Sequence, residues 1–213
     1  PQTVTIHEKK MRYATTSFHI SLQKAMVMRK LWLLSLLIAP LWASAAVTNE
    51  FTLANGLKVV VREDHRSPVV VTQAWYKVGS AYESVGSTGI SHALEHMMFK
   101  GTNKVPAGEF SRLVAYFGGE DNAFTTDDYT AYYQIYSNNR LPLAIELEAD
   151  RMANLQLKDE DFQKEIRVVM EERRQRTDDS PQGIALERFQ AVAMLTTPNR
   201  NPTIGWMADL ENM

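Results

Sequence analysis

The 213-residue chain has no cysteine. This absence excludes disulfide bonds and thiolate-ligated metal sites, so the fold must rely on a hydrophobic core. An excess of basic residues is also missing: the formal net charge is −2, and the part from residue 46 onward has 17 Lys plus Arg against 24 Asp plus Glu, a net charge of −7. We therefore expect neither nucleic acid nor an anionic membrane surface as a partner.

The chain also lacks an apolar run of the roughly 20 residues that a membrane-spanning helix needs. Its most apolar stretch, residues 31–42, is short and contains Pro40. Two basic residues precede this stretch and the small-residue sequence ASA follows it, a pattern typical of a secretory signal peptide over residues 28–45. Because the exported protein has no cysteine, we predict a periplasmic or secreted bacterial location, with no stable membrane span after signal cleavage.

Residues 1–27 precede this signal peptide and begin with Pro1. A signal peptide stands at the start of a newly made protein, so we expect translation to start at Met28 and residues 1–27 to be a non-native or disordered upstream segment. Its two histidines are assigned no role. We expect residues 46–213 to form one domain, truncated at its C-terminal end because the sequence stops within a segment of helical pattern.

Two histidines four residues apart flank a glutamate in the pentapeptide HALEH, which supplies His92, Glu95 and His96. A helix turns about 100° per residue, so all three side chains share one face. Two ring nitrogens can then bind one metal ion, while Glu95 can hold and deprotonate the water that the metal activates. This order of residues is the inverzincin signature. The alternative is a helix that carries two surface histidines by chance.

A helix is favoured around this pentapeptide. The preceding sequence GSTG supplies loop and N-cap residues, and Gly101 stands where a C-cap is expected. Five residues form an apolar stripe along the segment, namely Ile90, Ala93, Leu94, Met97 and Met98. The histidines are therefore expected at the edge of a packed face.

A catalytic zinc site usually has three protein ligands, so a third must come from elsewhere. From residue 46 onward the only other histidine is His65, which favours a carboxylate. In residues 162–175 a helical projection places Glu165 and Glu172 within about 20° of each other, inside an apolar stripe where unpaired carboxylates are costly. Glu171 projects about 100° away. We predict Glu172 as the third ligand and Glu165 as a carboxylate that orients a ligand or tunes the metal. The alternative is an amphipathic helix whose glutamates pair with Arg173, Arg174 and Arg176.

Three separated motifs occur in a fixed order: HALEH followed by MMFKGT, then GGEDNAFTTDDYTAYY, then EIRVVMEE. Together they resemble the catalytic half of the pitrilysin/insulinase family of zinc metallopeptidases, which includes the mitochondrial processing peptidases. The resemblance runs from about Phe51 to the last residue. It implies one Zn²⁺ per domain bound by His92, His96 and Glu172, with Glu95 as the base and Glu165 as the supporting acidic residue.

Residues 121–126 and 129–136 are predicted to form two strands joined by a short polar turn. From periodicity alone this is a plain hairpin with an aromatic face. The family resemblance implies more: the first strand binds extended substrate by β-augmentation, with Asn122 and Ala123 close to the scissile bond.

The predicted fold class is α+β, with a mostly antiparallel sheet packed against helices. Asn55-Gly56 indicates a tight hairpin turn, and the β-branched run at residues 69–78 favours an inner strand. Helices are predicted over residues 141–155 and from Ser180-Pro181 onward. The resemblance implies a clamshell of two homologous halves, of which this chain is the N-terminal catalytic one. We expect the second half as a C-terminal domain or a separate subunit.

Three functions are compatible with these observations. The leading one is a zinc endopeptidase that hydrolyses peptides or small unfolded proteins, although this half is expected to cleave poorly by itself. The second is a non-catalytic zinc-binding partner subunit of the same fold, against which the intact Glu95 and both histidines argue. The third is a periplasmic zinc-binding or structural module without chemistry.

Overall fold

The computed structural model describes residues 48–213. The predicted upstream segment 1–27, the signal peptide 28–45 and the domain start at residue 46 lie outside the described residues. The chain divides into two compact units, Pro1–Asp64 and His65–Met213. None of the helices within residues 48–213 is long and apolar enough to cross a bilayer.

The described part of the first unit is an antiparallel hairpin of β1 (Thr48–Thr52) and β2 (Lys58–Arg62). Its turn contains Gly56 at a φ of 89°, a left-handed conformation that glycine adopts without strain. The Asn55 side-chain oxygen accepts a hydrogen bond from the backbone N–H of Leu57 at 3.1 Å. The hairpin turn predicted at Asn55-Gly56 is therefore confirmed.

The second unit contains a three-stranded antiparallel sheet in the order β3-β5-β4. These strands are β3 (Val69–Tyr76), β4 (Glu120–Thr125) and β5 (Thr130–Ser137). The inner-strand prediction for residues 69–78 is wrong within the described residues, because β3 lies at one edge of this sheet and β5 lies between its neighbours. β3 has alternating half-buried and exposed residues, whereas most of β5 is buried.

Six α-helices accompany the strands within the described residues: α1 (Ile90–Met97), α2 (Glu109–Tyr116), α3 (Leu141–Asn154), α4 (Asp159–Arg173), α5 (Pro181–Ala193) and α6 (Met207–Leu210). A π-helical turn, Arg174–Asp178, follows α4 directly. The α+β class with antiparallel pairing is confirmed. The C-cap predicted at Gly101 is wrong: α1 ends at Met97, and Gly101 forms an isolated bridge with Pro106 instead.

The hydrophobic core lies between the sheet and the helices α2 and α3. Its buried members are Val105, Phe110, Val114, Tyr136, Ala144 and Leu147. Arg151 on α3 is buried beside this core, and its guanidinium lies 4.4 Å from the ring centre of Phe110 and 4.7 Å from that of Tyr132. Such cation–π contacts favour a charge that has lost its water. α1 contacts β4, β5 and α4, so the sheet and the neighbouring helix fix its position.

Candidate metal centre

The N-terminal end of helix α1, which carries HALEH, is capped by a side chain from outside the helix. Its N-cap, Gly89, has a φ of 89° and provides no side chain. The Glu83 carboxylate instead accepts hydrogen bonds from the backbone N–H groups of Gly89 (2.7 Å) and Ser91 (2.8 Å). These contacts satisfy N–H groups that a helix start leaves unpaired, and a negative charge there also interacts favourably with the positive end of the helix dipole.

Helix α4 runs antiparallel to α1 and brings Glu172 to both histidines. Glu172 Oε2 lies 3.8 Å from His92 Nε2 and 3.5 Å from His96 Nε2. Each of the three residues offers one donor atom, and these atoms all lie within 4.8 Å of one another. A zinc ion with bonds of about 2.0–2.2 Å keeps tetrahedral donors roughly 3.3–3.5 Å apart, close to both His–Glu separations.

His92 is suited to a metal by its protonation state. Burial, followed by the neighbouring His96, lowers the pKa of His92 to about 4, so the ring is neutral at pH 7 and keeps a free lone pair. Its Nδ1 is buried, and no residue within 48–213 gives it a hydrogen bond. Nε2, the ring atom that faces Glu172, is the one available to a metal ion. Two imidazole nitrogens and one carboxylate oxygen are a donor set found in catalytic zinc sites. The donor set therefore fits zinc.

Glu165 connects the second histidine to a lysine. His96 Nδ1 lies 3.1 Å from Glu165 Oε2, and Lys100 Nζ lies 2.5 Å from Glu165 Oε1. An Nδ1–H that donates to Glu165 leaves the lone pair on Nε2, the atom that faces Glu172. A carboxylate behind a metal-binding histidine typically orients the ring in this way and raises its basicity.

Glu95 lies between the histidines and the strand β4. The hydroxyl of Thr125 on β4 donates a hydrogen bond to Glu95 Oε2. Burial raises the pKa of Glu95, and this effect is opposed by the Thr125 hydrogen bond and by His96. A carboxylate with a raised pKa is a better proton acceptor near neutral pH than an exposed one.

The two adjacent glutamates at the end of α4 have different surroundings. Glu172 is largely buried, and its Oε1 pairs with Arg176 Nη1 at 2.6 Å. Glu171 is exposed and pairs with Arg174 at 3.0 Å. Pairing with arginine, the alternative left open by the sequence, thus occurs for both glutamates, yet only Glu172 reaches the histidines as well. The assignment of Glu172 as a ligand stays a prediction.

The predicted substrate-binding residues lie on β4, at an edge of the three-stranded sheet that the structure describes. Asn122 is exposed and Ala123 is half-buried, and the Asn122 side chain accepts a hydrogen bond from the Ala123 backbone N–H at 2.8 Å. Thr125, on the same strand, contacts Glu95. The predicted residues therefore lie on the strand that borders the metal-binding face, and their role with substrate stays a prediction.

Sequence reasoning missed several residues that support this centre. Glu83 caps α1, Thr125 contacts Glu95, and Lys100 pairs with Glu165. Lys100 stands four residues after His96, a spacing that could have suggested a shared partner. No periodic signal pointed to Glu83 or Thr125, because each acts through a contact that loop and strand geometry creates.

The family model described as Insulinase (Peptidase family M16) matches residues 58–205. The chain belongs to this family. The resemblance drawn from the three sequence motifs is thereby confirmed. Membership makes zinc and peptidase activity the family-level expectation for this chain, since similar proteins are named zinc proteases.

Three relatives illustrate the range of this M16 family. The chain is 42% identical over 193 residues to the zinc protease PqqE of Helicobacter pylori, covering 87% of this chain and 44% of the relative. It is 36% identical over 166 residues to an uncharacterized zinc protease of Mycobacterium bovis, covering 76% and 37%. It is 34% identical over 155 residues to the mitochondrial cytochrome b-c1 complex subunit 1 of Bos taurus, covering 73% and 32%. The last is named as a subunit of a complex, so M16 membership alone does not establish catalysis.

Two solved structures share this fold. The crystal structure of a protease from Helicobacter pylori superposes with a TM-score of 0.77 at 41% identity, covering 79% of this chain and 41% of that one. Pitrilysin superposes with a TM-score of 0.68 at 24% identity, covering 79% and 18%, a likeness in fold alone. The chain thus spans less than half the length of these M16 proteins.

Proposed function

We propose that this protein is a zinc-dependent endopeptidase that hydrolyses peptides or small unfolded proteins. The observation that carries the proposal is the convergence of His92, His96 and Glu172 from two helices, with donor atoms within 4.8 Å of one another. Glu95 lies on the same face of α1, where Thr125 holds its carboxylate. Three ligands plus an adjacent carboxylate are what a hydrolytic zinc site requires.

Each residue has a distinct part in this proposal. Zinc, when bound, supplies a Lewis acid that polarises a carbonyl oxygen and lowers the pKa of water. His92, His96 and Glu172 would hold the ion, and Glu165 would keep the His96 ring in the tautomer with a free Nε2. Glu95 accepts a proton from the attacking water and later passes it to the leaving amine.

We propose further that β4 receives the substrate as an added strand, with Asn122 and Ala123 near the scissile bond. An edge strand offers unpaired backbone groups, so it binds extended peptides with little demand on their sequence. This mode suits an enzyme that acts on varied peptides. It also delivers the peptide beside Thr125 and therefore beside Glu95.

The protein is proposed to act with a homologous second half, supplied by a C-terminal domain or by a separate subunit. The chain spans only 44% of its Helicobacter pylori relative, which supports a longer active protein. Export to the periplasm or the medium through the segment 28–45 is likewise a proposal. The extent of the domain, residues 46–213, belongs to the same proposal.

A non-catalytic zinc-binding partner subunit is the second candidate. The 34% identity to a cytochrome b-c1 complex subunit favours it, because that relative is named for its place in an assembly. The third candidate, a zinc-binding module without chemistry, shares the metal ligands with the first. Zinc content therefore does not distinguish the three candidates, whereas hydrolysis does.

The deciding experiment replaces Glu95 with glutamine in the full-length protein or the reconstituted pair of halves. The expected result is zinc retained at one equivalent and hydrolysis of a fluorogenic peptide reduced by about 10²–10⁴-fold, because glutamine cannot accept the proton. Zinc is measured by mass spectrometry of the dialysed protein. Hydrolysis at the wild-type rate by Glu95→Gln would sink the endopeptidase proposal, and a wild type without hydrolysis would favour the partner subunit.

A further inference from the structure

Residues 205–209, between α5 and the end of α6, contact both helices of the metal centre. They meet α4 at Arg173, the residue directly after Glu172. They meet α1 at Thr88, the residue directly before its N-cap. The two helices also touch each other, so these five residues provide a second connection between them.

The contact with α4 runs through a buried arginine. Arg173 is 4% exposed, and its guanidinium donates to both carboxylate oxygens of Glu187, at 2.6 and 2.9 Å. Its Nη1 also donates to the carbonyl oxygen of Gly205 at 2.9 Å, and its Cζ lies 5.8 Å from the centre of the Trp206 ring. A two-point pair with a carboxylate fixes the orientation of the guanidinium plane as well as its distance.

The contact with α1 runs through a buried hydroxyl. Thr88 Oγ1 accepts a hydrogen bond from the Trp206 backbone N–H at 3.0 Å and donates one to Asp209 Oδ2 at 2.5 Å. Asp209 Oδ2 also accepts from the Thr88 backbone N–H at 3.1 Å. Thr88 is 1% exposed, so these bonds form where water does not compete.

Two glycines let the backbones meet at the same place. A Cβ atom on Gly205 would lie 2.4 Å from the carbonyl oxygen of Thr88 and 2.8 Å from Gly89 Cα. A Cβ atom on Gly89 would lie 2.6 Å from the carbonyl oxygen of Ile204. Both glycines have a left-handed φ, 88° and 89°. The two chain segments are therefore so close that no side chain fits between them at Gly205 or Gly89.

We propose that Arg173 and Thr88 are positioning residues for the metal centre, acting through residues 205–209; these seven residues are called the brace. The brace sets the separation between His92, one turn inside α1, and Glu172, the neighbour of Arg173. This inference rests on the proposed zinc function. The inference goes beyond that function because it assigns the spacing of the zinc ligands to a chain segment that supplies no ligand.

The physical reason is preorganisation. A metal is bound tightly only if its donors already stand at the required distances, since any rearrangement is subtracted from the binding free energy. His92 and Glu172 come from helices that begin 69 residues apart, at Ile90 and Asp159. Without the brace, the direct packing of α1 on α4 and the Glu165 contacts would still hold the helices together. The ligands would then sample a wider range of separations.

The test compares four single variants of the full-length protein. Arg173→Met and Thr88→Val remove the side-chain hydrogen bonds at the two anchors of the brace while keeping similar volumes; the backbone bond from Thr88 to Asp209 remains in the second variant. Arg174→Met is the control for the first, because Arg174 is the exposed neighbour that pairs only with Glu171 among the ion pairs described. Thr88→Ser is the control for the second, because it keeps the hydroxyl. Zinc affinity is measured by competition with a chromogenic chelator, and the site geometry by the visible absorption of the Co²⁺ form.

We expect Arg173→Met and Thr88→Val to weaken zinc binding by about tenfold and to alter the Co²⁺ spectrum; this is the lower end of the range for groups bonded directly to a ligand, because neither residue bonds one. Arg174→Met and Thr88→Ser should stay within about twofold of wild type, as exposed ion pairs contribute little. A residue with a merely structural role would lower the melting temperature but leave the Co²⁺ spectrum and the zinc affinity of the folded protein unchanged.

The outcomes separate cleanly. If Arg173→Met fails to fold, Thr88→Val decides. Wild-type affinity and spectrum in a folded Thr88→Val variant would overturn the brace and leave the zinc function standing. A wild-type protein that binds no zinc would overturn the proposed function, and the brace with it.

Discussion

The two helices of the metal centre are held together by different contacts at their two ends. Near Lys100 the contacts are between charged side chains: Lys100 and His96 both reach Glu165, and all three remain partly exposed. Near Thr88 the contacts are buried hydrogen bonds and a direct meeting of backbones at Gly205. In our proposals the first end adjusts the basicity of a zinc ligand, whereas the second fixes the distance between the ligands. The two tasks would then belong to opposite ends of one helix pair.

The largest expected effect on zinc binding comes from removing the carboxylate of Glu172, the proposed third ligand. Glu172→Gln should weaken zinc binding by more than about 100-fold, because it removes a ligand and not merely a supporting contact. Glu171→Gln is its neighbouring control, since Glu171 is exposed and pairs with Arg174. Zinc content after dialysis against a chelator measures both. If Glu171→Gln loses zinc and Glu172→Gln keeps it, the ligand assignment is wrong.

The next effect concerns the buried end. Gly205→Ala should lower the free energy of unfolding by roughly 2–3 kcal/mol, because the new Cβ meets backbone atoms that cannot move aside. Gly108→Ala is the matched control: its φ of 80° is also left-handed, but nothing lies within 4 Å of its Cβ position. It should lose only the conformational term, about 1 kcal/mol. Urea denaturation gives both values, and equal losses would show that the backbone contact contributes nothing.

A smaller effect is expected at the charged end. Glu165→Gln should weaken zinc binding by about tenfold, because glutamine can still accept the His96 Nδ1–H but no longer raises the basicity of the ring. The Co²⁺ spectrum should change little, in contrast to the brace variants. Chelator competition and absorption measured on the same samples test this contrast. If Glu165→Gln changed the Co²⁺ spectrum as much as Thr88→Val does, the Lys100 end of the helix pair would control the site geometry as the Thr88 end is proposed to do.

The smallest effect has the opposite sign. Arg176 is largely exposed and pairs with Glu172 Oε1 at 2.6 Å, so its positive charge competes with a cation for that carboxylate. Arg176→Met should tighten zinc binding by about two- to threefold, and added salt should remove the difference because exposed charges are screened. Titrations at low ionic strength and in 0.5 M salt measure it. Weaker binding in the variant would indicate that Arg176 orients Glu172 instead.

Much of the geometry of the candidate metal centre could be predicted because it is local. Helical spacing alone placed His92, Glu95 and His96 on one side of α1, and it separated Glu172 from Glu171 on α4. The hairpin at Asn55-Gly56 could be predicted for the same reason, because these two residues by themselves favour a tight turn.

The rest could not be predicted because it depends on which distant segments meet. The sequence alternative paired Arg173 with the glutamates of its own helix, yet Arg173 is buried and its partners are Glu187, Asp178 and Gly205. The helical repeat turns the Arg173 side chain about 100° away from that of Glu172. It does not identify the residues that Arg173 contacts. The same holds for Gly101, whose bridge to Pro106 replaces the expected cap. A periodic pattern specifies a face of an element and leaves its tertiary partner open.

The brace has a consequence for the order in which the molecule is made. Thr88 and Asp209 are separated by 121 positions, and Arg173 and Gly205 by 32. During synthesis both histidines and Glu172 are complete before residues 205–209 exist. If the brace sets the ligand spacing as we propose, the donors lack a fixed spacing until those residues have been made, and zinc binds tightly only after this segment has docked. On that proposal the protein acquires its ion as a folded product and not as a folding template.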